Sequence, residues 1–163
     1  MPTPLRSPLA MVALPVLLAG LIGEIAFEAY AWLISPQIFG FALQPSKLVM
    51  AIGQMHLGIT LSHWMAFAIH FCIGAVGFGV FVYLVRRFVV ASSWAAGLLS
   101  GVTLWFVAQG MLAPLVGRSF MMDFGPYTQS SFVGHVGMTL ITAYLLGLWL
   151  PQGDEPEAKP EAA

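Results

Sequence analysis

Charge is what this sequence most lacks. Asp, Glu, Lys and Arg make up 8% of its 163 residues, where a water-soluble domain carries about a quarter. So little charge excludes water as the main solvent of the chain. Six Lys and Arg at a net charge of −1 leave no basic patch for an anionic polymer, which excludes nucleic acid as a partner. Cysteine is nearly absent too. Cys72 stands alone, so there is no intrachain disulfide and no paired-thiol metal site, and inside its apolar run it reads as a small buried hydrophobe. HExxH, Walker and GxSxG motifs are missing, which argues against an enzyme with a standard signature.

What the chain has instead is apolar length. Hydrophobic residues make up 59% of it, and a spanning helix needs about 20 such residues in a row. Residues 11–34, 61–85, 89–113 and 131–150 qualify, which predicts an all-α, polytopic bundle of four transmembrane helices in a single domain over residues 1–150. Arg6, Arg86, Arg87 and Lys159 fall on one side, with Lys47 and Arg118 on the other. The positive-inside rule then places both termini in the cytoplasm of a bacterial inner membrane. Trp32 and Trp64 mark the outer interface under this reading, and Trp94 and Trp149 the inner one. Arg6 before an apolar core, with Ala29-Tyr30-Ala31 in small-x-small form, also fits a signal peptide. The run is nevertheless longer than a usual h-region and holds two glutamates, so an uncleaved helix fits better.

Between the first two spans, apolar Leu48, Val49, Ile52 and Met55 predict a short interfacial helix capped by Ser46 and ended near Gly58. Residues 117–129 carry loop chemistry in Arg118, Asp123, Gly125 and Pro126, and Ser130 or Ser131 is the expected cap of the fourth helix. Residues 151–163, rich in Pro, Glu and Ala, predict a disordered cytoplasmic tail. A tandem two-helix repeat is also legible. Leu18-Ala19-Gly20 matches Leu99-Ser100-Gly101, Glu28 then falls opposite Gln109, and Phe67 and His70 correspond to Phe132 and His135.

The polar residues inside the spans carry the functional question. Glu24 and Glu28 lie four apart on one helix face, and an acidic group at a helix centre costs about 2.5–3.5 kcal/mol to insert. They should face the interior and find partners. His70, Gln109 and His135 fall at similar depth on the other three helices, so Glu24, Glu28, His70, Gln109 and His135 form one candidate layer for a proton relay, a metal or a cofactor. Such a layer serves equally to join helices by hydrogen bonds. His56 and His63 read as interfacial histidines, because Gly58 and Thr60 interrupt any straight stripe with His70. The run Gly74-Ala75-Val76-Gly77-Phe78-Gly79 presents small residues for close helix packing, or for a flat macrocycle.

His70 followed by Ile73-Gly74 and Gly77, then Gly97-Leu98-Leu99-Ser100-Gly101, then Ser131-Phe132-Val133-Gly134-His135, resembles the YagU-like family of bacterial inner-membrane proteins. The resemblance spans the second to fourth helices. It implies a polytopic inner-membrane protein linked to acid resistance, with no catalytic residue to carry over.

Three functions fit these residues. The Glu/His layer handles protons, with burial opposing the charged form of each group and pairing favouring it. Alternatively, His70 and His135 are axial ligands of a haem b in an electron-transfer subunit. Or the chain is an accessory subunit whose polar layer fixes helix register within a homo-oligomer or larger membrane complex in the lipid bilayer. A metal held by two Glu and two His ranks last, for want of the Glu-x-x-His spacing of di-iron bundles.

Overall fold

In a bilayer the backbone has only its own carbonyls to bond, and apolar runs of this length answer with helices. The computed structural model describes residues 8–150, and no strand occurs among them. The tail expected over residues 151–163 lies outside the described residues. Helix α1 opens as Pro8–Ala29, passes through a π-helical turn, Tyr30–Ile34, and closes as Ser35–Phe39. The interfacial helix α2 is Ser46–Leu57. Helix α3 joins His63–Cys72, a π segment Ile73–Phe78 and Gly79–Phe88. Helix α4 joins Ser93–Phe106, a π segment Val107–Leu112 and Ala113–Leu115, and α5 is Pro126–Trp149.

The protein is therefore an all-α bundle with four rods long and apolar enough to cross a membrane, Met11–Phe39, His63–Phe88, Ser93–Leu115 and Pro126–Trp149. Their ends differ from the expected ones for local reasons. Ser62 and Ser92 accept hydrogen bonds from the backbone of Met65 and Ala95, which sets the starts of α3 and α4. Neither Ser130 nor Ser131 caps α5, because Pro126 opens that helix a turn earlier, where a missing N–H costs nothing. Ser46 is likewise not a side-chain cap; it is buried inside the first turn of α2, while Gly58, at φ +64°, ends that helix as expected. Cys72 is exposed rather than buried, since a membrane bundle turns apolar side chains outward to lipid.

Small residues decide how the rods meet. A Cβ on Gly20 would overlap the carbonyl oxygen of Ala75, and one on Gly79 would lie 3.0 Å from the Gly20 Cα. Helices α1 and α3 thus touch backbone to backbone. Gly97 and Gly101 do the same for α4 against α5, where added Cβ atoms would stand 2.9 Å from the Leu140 Cα and 2.6 Å from the Val136 Cα. Thr139 Oγ1 sits in that seam, 2.8 Å from the Gly97 carbonyl. Helix α1 also lies along α5, whereas α3 meets α4 through Gly79–Phe88 and the two diverge beyond it. Helix α2 lies at the widened end, where His56 Nε2 donates to the Leu115 carbonyl at 2.9 Å.

At the opposite end, Arg86 is buried and closes α5. Its Nη1 donates to the carbonyls of Leu150 at 2.8 Å and Leu146 at 3.3 Å, and its Nε donates to Ser93 Oγ. The Leu150 carbonyl lies past the last helical turn and has no partner within the helix, whereas that of Leu146 also accepts from Leu150 N–H. Arg86→Ala is expected to cost about 2–3 kcal/mol, the scale of hydrogen bonds to a charged group. Thermal unfolding followed by circular dichroism in detergent would show this as a lowered midpoint. An unchanged midpoint would remove Arg86 from the account of how α5 ends.

The reversal between α4 and α5 uses left-handed backbone at four successive non-glycine residues, Met121, Met122, Asp123 and Phe124, with φ between 46° and 56°. Such residues cost about 1–2 kcal/mol each. The turn is held by Thr128, which donates to the Met121 carbonyl, by Gln129, which donates to that of Phe124, and by the buried Met121 side chain lodged at Gly110.

Candidate functional site

Glu24 and Glu28 point from α1 toward His70 on α3. Glu24 is wholly buried, and Glu28 and His70 keep 12% and 13% of their side-chain surfaces. His70 Nδ1 lies 3.3 Å from Glu24 Oε1 and 3.6 Å from Glu28 Oε1. Both contacts fall within ion-pair range, yet neither is an aligned hydrogen bond. Both Glu24 oxygens, Glu28 Oε1 and His70 Nδ1 remain without hydrogen-bond partners. Trp32 Nε1 donates to the remaining Glu28 oxygen at 2.7 Å. Room for the inner carboxylate comes from Gly74, whose missing Cβ is where Glu24 Oε2 lies.

A second polar group joins α4 to α5. Gln109 Nε2 donates to Ser131 Oγ at 3.0 Å, and His135 Nδ1 lies 3.3 Å from that hydroxyl and 2.8 Å from the Ser131 carbonyl. A carbonyl only accepts, so Nδ1 carries a proton, and in the neutral ring Nε2 is the acceptor. The residues of the expected layer divide into two bonded groups, Glu24–Glu28–His70 and Gln109–Ser131–His135. The ring of Phe27 touches both, with centroids 5.8 Å from His70 and 5.6 Å from His135. Phe27 fits there because position 134 is glycine, where a Cβ would stand 2.7 Å from the ring. His56 and His63 are exposed and join neither group.

Between the groups, in the gap where α3 and α4 diverge, lies a cavity of 180 Å³ roofed by Leu48, Val49 and Ile52 of α2. His70, Gln109, Ser131 and His135 line it. A shallower hollow with Lys47 and Gln44 adjoins it through the shared walls Arg118 and Tyr127.

Several contributors were not singled out from the sequence. Ser131 joins Gln109 to His135. Tyr30, Ser130 and Ser35 form a relay that ends on the Phe41 carbonyl, with Ser35 to Ser130 at 2.8 Å and Tyr30 to Ser130 at 2.9 Å. The π turns were also unforeseen. Each lies at the level of the site, following Glu28 and His70 and containing Gln109. Pro36 and Pro114 signal two of them, because a proline ring collides with the carbonyl four residues earlier and a wider turn relieves the collision.

Glu24, Glu28 and His70 form the one grouping of His, Cys, Asp and Glu among the described residues able to converge on a metal ion, with ligand atoms all within 4.8 Å of one another. No known family model, curated protein or solved structure matches this chain.

Proposed function

We propose that this chain is a multi-pass protein of a bacterial inner membrane, its termini cytoplasmic, that binds a divalent metal cation at Glu24, Glu28 and His70 in competition with protons. The observation that carries the reading is the convergence of three ligand atoms, all within 4.8 Å of one another, with His70 Nδ1 close to a carboxylate oxygen of each glutamate. Metal–nitrogen and metal–oxygen bonds of about 2.0–2.2 Å at tetrahedral angles set ligand atoms about 3.3–3.6 Å apart. The Nδ1 to Oε1 distances here are 3.3 and 3.6 Å. Charge points the same way. Two carboxylates and a neutral imidazole balance a dication, and no Lys or Arg pairs with either carboxylate among the described residues. Three protein ligands leave a fourth position open for water or another ligand.

The acid handling implied by the YagU-like resemblance follows from the same centre. Its ligands must shed protons to take the metal, so metal uptake releases protons and acid expels the metal. The haem reading draws less support. The cavity beside His70 and His135 measures 180 Å³, close to the roughly 150 Å³ that accommodates benzene, and Phe27 lies against both rings.

The test is metal content by mass spectrometry after the purified, chelator-stripped protein is loaded with Zn²⁺ and desalted. One equivalent per chain is expected near neutral pH, with occupancy falling as the pH is lowered. Glu24→Gln and His70→Ala are each expected to weaken binding at least about 100-fold, since loss of an outer-shell partner alone costs 10–100-fold. A wild-type protein that retains no Zn²⁺, Mn²⁺ or Fe²⁺ would refute the proposal.

A further inference from the structure

The cavity between the two polar groups has a chemistry of its own, independent of the metal. Its walls are mainly apolar, and Phe27, Phe78 and Tyr127 set aromatic rings around it together with His70 and His135. Phe78 stands 6.2 Å from His135, ring centre to ring centre, and Phe27 meets His135 edge to face. Two polar side chains at the wall are more than nine-tenths buried yet incompletely bonded. His135, 6% exposed, has spent its Nδ1 proton on the Ser131 carbonyl, and its Nε2 lone pair has no donor. Gln109, 5% exposed, donates to Ser131 while its Oε1 has no partner. A buried acceptor left open, as Gln109 Oε1 is, beside a ring nitrogen that makes no hydrogen bond, favours an occupant that brings a donor.

Size and shape narrow the class. A volume of 180 Å³ suits one six-membered ring with a substituent, because about 150 Å³ already accommodates benzene. A flat ring also meets the surrounding aromatic edges and faces better than a coiled alkyl chain. We propose that this cavity binds a membrane-soluble, single-ring aromatic alcohol, a phenol or hydroquinone, whose hydroxyl donates to His135 Nε2 with Gln109 Oε1 beside it. Helix α2 is the roof of the site. Its Leu48, Val49 and Ile52 face the ring, and Gly58, at φ +64°, ends it before the chain turns into α3.

The probe is phenol, with toluene as the ring of matching shape that lacks a donor. The full chain in detergent, carrying ¹⁵N-labelled histidine, reports the occupant at His135 Nε2, a signal assigned by its loss in His135→Gln. Phenol is expected to move that signal toward the hydrogen-bonded position and to saturate, at a concentration about tenfold below any effect of toluene. Ala108→Phe places a ring in the cavity wall and is expected to abolish the response, while the histidine spectrum without phenol stays native. Three outcomes would each overturn the proposal. The Nε2 signal could ignore phenol, which would mean that water alone satisfies it; toluene could act as well as phenol; or the response could survive in a natively folded Ala108→Phe protein.

Discussion

Gly20→Ala is expected to destabilise the bundle by about 3 kcal/mol, the upper end of ordinary overpacking. The added methyl would overlap the Ala75 carbonyl oxygen and reach within 3.0 Å of the Gly79 Cα. Both obstacles are backbone, so no rotamer change relieves them, and α1 must move off α3 along the seam that aligns Glu24 with Gly74. The control is Gly77→Ala on α3, where the nearest atom to an added Cβ is Ile73 Cγ2 at 3.9 Å. There the methyl meets open surface, and the change is expected to be neutral or stabilising by up to about 1 kcal/mol through helix propensity. Denaturation of the two variants in mixed micelles, followed by circular dichroism, gives the comparison. Equal stabilities would mean that α1 and α3 are not held at backbone contact.

The same glycines show how far the sequence could be read. Gly20 and Gly101 align in the internal register, and each brings its own helix against the next member of its pair, Gly20 at Ala75 and Gly79, Gly101 at Val136. The polar residues of that register behave alike. Glu28 meets His70, and Gln109 reaches His135 through Ser131. Spans and polar depths are one-dimensional properties, set by hydropathy and by a 1.5 Å rise per residue, so they can be read along a chain. Which polar residues share a cluster is an angular property. The π turns add to this, since only Pro36 and Pro114 announce two of them, while the turn at Ile73–Phe78 has no proline to mark it. Depth alone therefore predicts a single five-residue layer, and the structure divides it into two bonded groups with Phe27 against both. Ser131 reads as a cap in the sequence for a related reason. Hydroxyls near the start of an apolar run are ambiguous between capping a helix and joining two, and Pro126 decided the matter by opening α5 first.

Gly74→Ala is expected to abolish metal binding at Zn²⁺ concentrations that fill the wild-type site, a loss of at least about 100-fold, as large as removal of a ligand. The methyl would occupy the position of Glu24 Oε2, with Glu24 Oε1 2.8 Å away. Glu24 is wholly buried, so its carboxylate yields to the methyl only by turning within the bundle, which alters its 3.3 Å distance to His70 Nδ1. Stability should fall as well, and the double variant Gly74→Ala/Glu24→Ala separates the two effects. Shortening residue 24 removes the collision, so the double variant should be more stable than the sum of the two single changes by about 0.5–3 kcal/mol, the range for residues in contact. Metal binding should not return, because the ligand itself is gone. Additive stabilities would show that Glu24 does not lie against Gly74 in the folded protein. A Gly74→Ala protein that still binds Zn²⁺ at full affinity would show that the metal does not depend on Glu24 lying against Gly74.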